Sequence, residues 1–213
     1  SIGASPFLMQ TANSMVQGLF NYNLIRYGDD LAVGAMGIIL SVTFIATTCI
    51  VALNMATQPI IGYNFGAKNF LRVKDTLKTA LISATLISTL AWLIIHSVPE
   101  MIIGLFIRGD AELMALAAQG MHIFLIMLPI IGFQVVAGNY FQSVGKASTA
   151  VFLILLRQVI VLIPMLLILP PILGLKGVWM AGPISDAVAA AICGILLVIE
   201  WRRISAQVSS HTK

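Results

Sequence analysis

Apolar residues fill six long runs of this chain, and polar residues mark the gaps between them. The runs cover roughly 6–26, 31–61, 73–97, 112–141, 147–169 and 177–201. A helix rises about 1.5 Å per residue, so about 20 apolar residues cross the ~30 Å hydrocarbon core of a bilayer. Each run is therefore predicted to be a transmembrane helix. The second and fourth exceed one crossing and should tilt or project. Pro129 is expected to kink the fourth and Pro164 the fifth, because proline removes a helical donor. The predicted fold is an all-α integral membrane protein. A six-transmembrane-helix bundle spans residues 1–203, followed by a cytoplasmic tail at 204–213.

Polar positions inside the runs form stripes. In the first run Gln10, Asn13, Gln17 and Asn21 recur at steps of three, four and four. At about 100° per residue they share one face, within roughly 80°. In the second run Thr43, Thr47, Asn54 and Gln58 share a face of roughly 60° by the same count. Amides are costly against lipid, so both stripes must face protein or water. Two readings stand: interhelical hydrogen bonding, or the lining of a polar cavity. In the third run Thr85, Thr89, Trp92 and His96 share a face, while Ala84, Ser88 and Ala91 suit close helix packing. His122 is a lone histidine on an apolar helix, read as packing or interface placement. Gln134 follows the expected Pro129 kink and is a candidate cavity residue.

Two charges lie deep inside the runs, Arg157 and Asp186. They have opposite sign and sit on consecutive antiparallel helices. Counted from the shared loop, their depths differ by about 6 Å, which an arginine side chain spans. A buried ion pair is one reading. A helix segment starting at Pro183, with Asp186 in its first turn, is a second. A coupling role in cation or proton movement is the third.

Composition supports lipid as the solvent. The chain is 59% hydrophobic and 9% charged over 213 residues, with mean hydropathy +1.00. Soluble domains carry about 25% charged residues. The net charge of +4 does not imply nucleic acid, because the basic residues flank the apolar runs. PIIGYNFGAKNFLRVKDTLK (59–78) shows this: glycines stop a helix, then Lys68, Arg72, Lys74 and Lys78 follow. Lys146, Arg202, Arg203 and Lys213 fall on the same side, against Arg26, Arg108 and Lys176 on the other. This bias places both termini of the segment in the cytoplasm. Cys49 and Cys193 lie in apolar runs and read as small buried hydrophobes. SIGASPFLMQ has no initiator Met, basic n-region or cleavage site, so an interior piece of a longer polypeptide is expected. No enzyme motif and no metal-ligand cluster is present in the sequence, so neither catalytic residues nor a metal site is expected.

Four segments carry a family resemblance. QPIIGYNFGAKN (58–69) is similar to the loop after the eighth helix of MATE-family multidrug and toxic-compound extrusion transporters. LFIRGDAEL (105–113) resembles the segment leading into their tenth helix, and FQSVGKA (141–147) the turn after it. LLRQVIVLIPMLLILPPILGLKGVWMAGPISD (155–186) resembles their eleventh and twelfth helices. The resemblance covers about residues 1–203 and implies the second lobe of a twelve-helix transporter. It implies a bacterial inner membrane location and an N-terminal six-helix lobe of the same polypeptide as partner. It also implies export of small amphipathic, often cationic compounds, driven by inward Na⁺ or H⁺ through rocking of the lobes. NorM-type members place cation-binding acids on the seventh and tenth helices, where this chain has none at mid-membrane. It looks more like the DinF- and MepA-like branches, with the coupling ion bound mainly in the first lobe. No cofactor is expected. A related lipid or lipid-linked oligosaccharide flippase, and a non-transporting membrane scaffold subunit, are the alternatives.

Overall fold

A computed structural model describes residues 4–107 and 109–211; Arg108 and Lys213, both counted above, lie outside the described residues. The described elements are all helical. α1 spans Ala4–Gly66, α2 Phe70–Ser97, α3 Pro99–Ile103, α4 Ala111–Phe124 and α5 Leu128–Ser143. α6 covers Ala147–Leu155, a π-helical segment Leu156–Leu162, α7 Ile163–Leu173 and α8 Leu175–His211. The all-α expectation holds.

The breaks have local causes. α1 is interrupted at Asp29, whose backbone is non-helical at φ 63° and ψ −168°. A helix from Asn13 to Gly66 would run 54 residues, about 80 Å, far beyond one bilayer crossing. Asp29 divides it into two arms, 4–28 and 30–66. The Asp29 carboxylate accepts the Leu31 N–H at 2.9 Å, capping the second arm as an N-cap acid does. Gly28 is needed beside it: a Cβ there would lie 2.7 Å from Ala32 and 2.8 Å from Leu175. Asp110 caps α4 by accepting the Leu113 N–H at 2.9 Å. α4 and α5 are bent by 51° across 125–127. The bend falls in the turn before Pro129, where the proline ring meets the carbonyl four residues back and no N–H returns to it, so the expected kink is present. Pro164 stands just after the π-helical segment. The wider turn there relieves the clash a proline ring makes one turn back. Pro183 lies inside α8, which begins at Leu175. No helix starts at Pro183, and Asp186 is therefore not in a first turn.

Four described helices are long and apolar enough to cross a membrane, or five with the bent α4–α5 pair taken as one span. α1 enters this count once, although Asp29 divides it into two arms. Phe44, Met55, Leu86 and Ile172 are among many large apolar side chains left more than 60% exposed. Such an exterior suits lipid, not water. Cys193 is buried as expected, whereas Cys49 is exposed. An apolar exterior accepts a thiol as readily as a core does, so an apolar run does not by itself bury a cysteine.

The chain divides into two compact units. Unit 1 is Ser1–Ile45, Trp92–Met127 and Leu155–Val188. Its core includes Leu24, Ile39, Met121, Leu166 and Trp179. Gly120 admits the closest approach, since a Cβ there would lie 2.7 Å from Ile39 and 2.9 Å from Trp179. Asn23 ties the first arm of α1 to α7, donating to the Leu166 carbonyl at 3.1 Å. His96 and His122 stack edge to face at 5.0 Å, which places both histidines in a packing contact.

Unit 2 is Ala46–Ala91, Leu128–Ile154 and Ala189–Lys213. Its core includes Ile61, Leu77, Ala84, Tyr140 and Phe141. Small residues bring α2 and α5 together, as close membrane helices require. A Cβ at Gly132 would meet the Ala84 carbonyl and the Ser88 hydroxyl at 2.5 Å. Ser88 itself donates to the Pro129 carbonyl at 3.0 Å. Lys146 pairs with the buried Glu200, which Arg203 also approaches at 3.5 Å.

Candidate functional site

Unit 1 contains a cavity of about 360 Å³. The first arm of α1 turns Gln10, Asn13, Gln17 and Asn21 onto it, with Val16 and Phe20 between them. Met36 and Leu40 of the second arm, Phe124 of α4, and Arg157, Gln158 and Leu162 complete the wall. The helical spacing of the four amides explains their common face. Phe20 and Phe124 meet edge to face with centroids 6.3 Å apart. Arg157, Gln158 and Leu162 all lie on the π-helical segment, a kind of helix defect frequent at functional sites.

Arg157 lines this cavity, yet it is not an uncompensated charge. Its Nε donates to Asp186 Oδ1 at 2.5 Å. The two side chains differ in setting: Arg157 is 38% exposed and Asp186 only 6%. Ser185 donates to the Arg157 carbonyl, which further fixes the π-helical segment to α8. The cavity therefore offers amide donors and acceptors, two phenyl rings and a neutralised ion pair. Such a surface can solvate polar groups and cover apolar ones without fixing a charge sign.

The second stripe lies on the second arm of α1. Thr43 belongs to unit 1 and donates to the Ile39 carbonyl of its own helix at 2.7 Å. Thr47, Asn54, Gln58 and Gln134 belong to unit 2. Asn54 is buried, and its Oδ1 has no hydrogen-bond partner among the described residues. The same holds for Gln134 Oε1. The Asn54 carbonyl accepts from Asn139 Nδ2 at 3.4 Å. Orphaned buried acceptors of this kind want a partner, whether ordered water or a ligand. Gln58 is half-buried. Gln158, Phe20 and Phe124 escaped the sequence reading. An amide beside Arg157 was the available signal for Gln158, whereas nothing in the pattern singles out either phenylalanine. No group of three or more His, Cys, Asp or Glu side chains able to hold a metal occurs among the described residues.

A helical chain with an amide-lined cavity and a compensated intramembrane charge fits one family profile, MatE, which matches residues 6–168. The chain belongs to the MatE family. It is 27% identical over 196 residues to the multidrug export protein MepA of Staphylococcus haemolyticus, covering 92% of this chain and 41% of that protein. MepA of Staphylococcus aureus is 24% identical over 208 residues, covering 98% of this chain and 45% of its own length. Among solved structures, a ligand complex of the MATE multidrug transporter DinF-BH superposes with a TM-score of 0.79 at 36% identity. That alignment covers 92% of this chain and 44% of DinF-BH. MATE in the bent conformation superposes with a TM-score of 0.85 over 99% of this chain and 46% of its own, at 20% identity, and so bears on the fold alone. This MatE chain spans less than half the length of the curated relatives it matches. It is a multi-pass membrane protein of a transporter family, not an enzyme family, and corresponds to one lobe of its MepA- and DinF-like relatives.

Proposed function

We propose that this MatE chain is the second lobe of a secondary active exporter of amphipathic, mainly cationic compounds. The observation that carries the reading is the cavity of unit 1. Four amides on one helix face meet two phenyl rings and an arginine neutralised by Asp186. Amide oxygens and aromatic faces attract a cation, and the apolar wall accepts its body. The ligand complex of DinF-BH, a multidrug transporter, supports a drug-like organic molecule as the ligand class. A lipid-linked sugar flippase requires free basic groups for phosphate, and here the one cavity-lining arginine is already paired.

The proposed cycle couples export to Na⁺ or H⁺, bound mainly in a partnering first lobe. The two lobes rock about the cavity so that it opens to one side at a time. Ion binding shifts the balance between the two openings. The membrane lobe is assigned to residues 1–203, and α8 leaves the bilayer from residue 204 onward. The basic residues of the loop after α1, the turn before α6 and the end of α8 outnumber those of the other loops, which supports a cytoplasmic placement of both ends. A bacterial cell membrane is the proposed location.

The test is ethidium uptake into everted vesicles carrying either this chain or a full-length polypeptide containing it, under imposed Na⁺ or H⁺ gradients. Gradient-driven uptake by the full-length protein alone is expected. Uptake by the short chain would show that two copies make a complete transporter. No uptake by either, with both confirmed in the membrane, would overturn the exporter reading in favour of the flippase or scaffold.

A further inference from the structure

Unit 2 carries a second concavity with different chemistry. α2 and α8 leave a groove of about 360 Å³ lined by Lys78, Leu81, Ile82, Leu197, Val198 and Trp201. Ile82 and Val198 are 51% and 53% exposed, so the aliphatic floor is open to the surroundings. Lys74, Lys78 and Ile82 follow one another at successive turns of α2, so a basic mouth leads onto the apolar floor. Lys74 is already engaged. Its ammonium lies 4.9 Å from the Trp201 ring centroid and donates to Ser205 at 2.9 Å. Lys146 and Arg203 are held by Glu200. Lys78, by contrast, is exposed and has no hydrogen bond or ion pair among the described residues.

We propose that this groove binds one anionic glycerophospholipid. Its phosphate pairs with Lys78, Trp201 stands at the level of its glycerol, and one acyl chain lies along Leu81, Ile82, Leu197 and Val198. Three features select this occupant. Lys74 and Lys78 at the mouth outnumber the exposed Asp75 between them, and this net positive charge favours a net-negative headgroup over a zwitterionic one, as in basic pockets between membrane helices. The aromatic wall is a tryptophan, the side chain favoured at the membrane interface. The floor is aliphatic, as an acyl chain requires. Glu200, the acid on this part of α8, is buried against Lys146 and does not oppose an incoming phosphate. The lipid would join α2 to α8 beside the existing Lys74–Trp201 contact. This inference does not depend on what the amide-lined cavity transports.

The test is native mass spectrometry of the protein released from nanodiscs of equal phosphatidylglycerol and phosphatidylcholine. The expected result is one retained phosphatidylglycerol per chain, in clear excess over phosphatidylcholine. Lys78→Gln should lower that retention about fivefold, the effect of one basic residue near an anionic headgroup. Ile82→Trp, which fills the groove, should lower it with the lysine intact. Lys68→Gln, in the loop before α2, should leave it unchanged. Both groove positions are exposed, so neither change should disturb folding. Equal retention of the two lipids would overturn the proposal, as would unchanged retention in Lys78→Gln. An equal loss in Lys68→Gln would also overturn it, because diffuse surface charge would then be the cause.

Discussion

Removing either member of the Arg157–Asp186 pair should have unequal consequences. Asp186 is 6% exposed and Arg157 38% exposed, with its guanidinium at the wall of the cavity. Arg157→Gln strands a buried carboxylate without its charge partner, a change that costs about 3–5 kcal/mol. Asp186→Asn keeps an acceptor oxygen for the Arg157 Nε–H, and the arginine can turn toward the cavity. What is lost is the charge assistance of one hydrogen bond, roughly 1–2 kcal/mol. The gap of about 2 kcal/mol corresponds to roughly 4–8 °C in Tm for a chain of this size. The double variant should regain most of the loss seen in Arg157→Gln, since neither charge is then left alone. Heating detergent-solubilised fluorescent fusions and measuring the surviving monodisperse peak gives the four Tm values. An Asp186→Asn protein as unstable as Arg157→Gln, or more so, would refute the reasoning.

The same pair sets the charge of the cavity. Asp186→Asn leaves a net positive wall, which costs a monovalent cation seated about 8 Å away roughly 2 kcal/mol at an effective dielectric of 20. Its KM for a cationic dye in vesicle transport should rise about thirtyfold, with a neutral substrate little affected. Gly132→Ala should destabilise unit 2 by about 1–3 kcal/mol, because the new Cβ meets the Ala84 carbonyl and Ser88 at 2.5 Å; thermal melting in detergent checks this. Asp110→Ala should cost about 1 kcal/mol through loss of the α4 cap, and Asp110→Asn much less, as read by the same melts.

Much of this architecture can be read from the chain because a bilayer imposes one simple demand. Apolar runs of about 20 residues must be helices, since lipid satisfies no backbone group. Arg157 and Asp186 can be paired on paper because their signs and depths match. The amides at 10, 13, 17 and 21 share a face under straight-helix counting, and the structure brings all four to one cavity. The same counting says less about the second stripe. It does not tell which members bond within their own helix, as Thr43 does to the Ile39 carbonyl, and which keep an orphaned amide oxygen, as Asn54 does. The π-helical segment has no pattern of its own; Pro164 hints at a disturbance but not at its form. The bend between α4 and α5 falls at 125–127, in the turn before Pro129, where the proline ring excludes the carbonyl of residue 125 from a helical bond. Along the sequence the Asp29 break shows only as a gap between apolar runs. Its cause is a capping acid next to a glycine pressed against Leu175.

The central claim is that the first arm of α1 lines a cavity that holds the transported molecule. The most direct test is thiol labelling at Gln17. Cys49 is exposed and must first be replaced by serine, whereas Cys193 is buried and can remain. Gln17→Cys in that background should react with a hydrophilic, membrane-impermeant maleimide, and saturating ethidium should slow the reaction severalfold. A cysteine at the buried position Ala35 should stay unlabelled. A Gln17→Cys protein that stays unlabelled in the folded state would contradict the account, and so would one labelled at the same rate with and without ethidium.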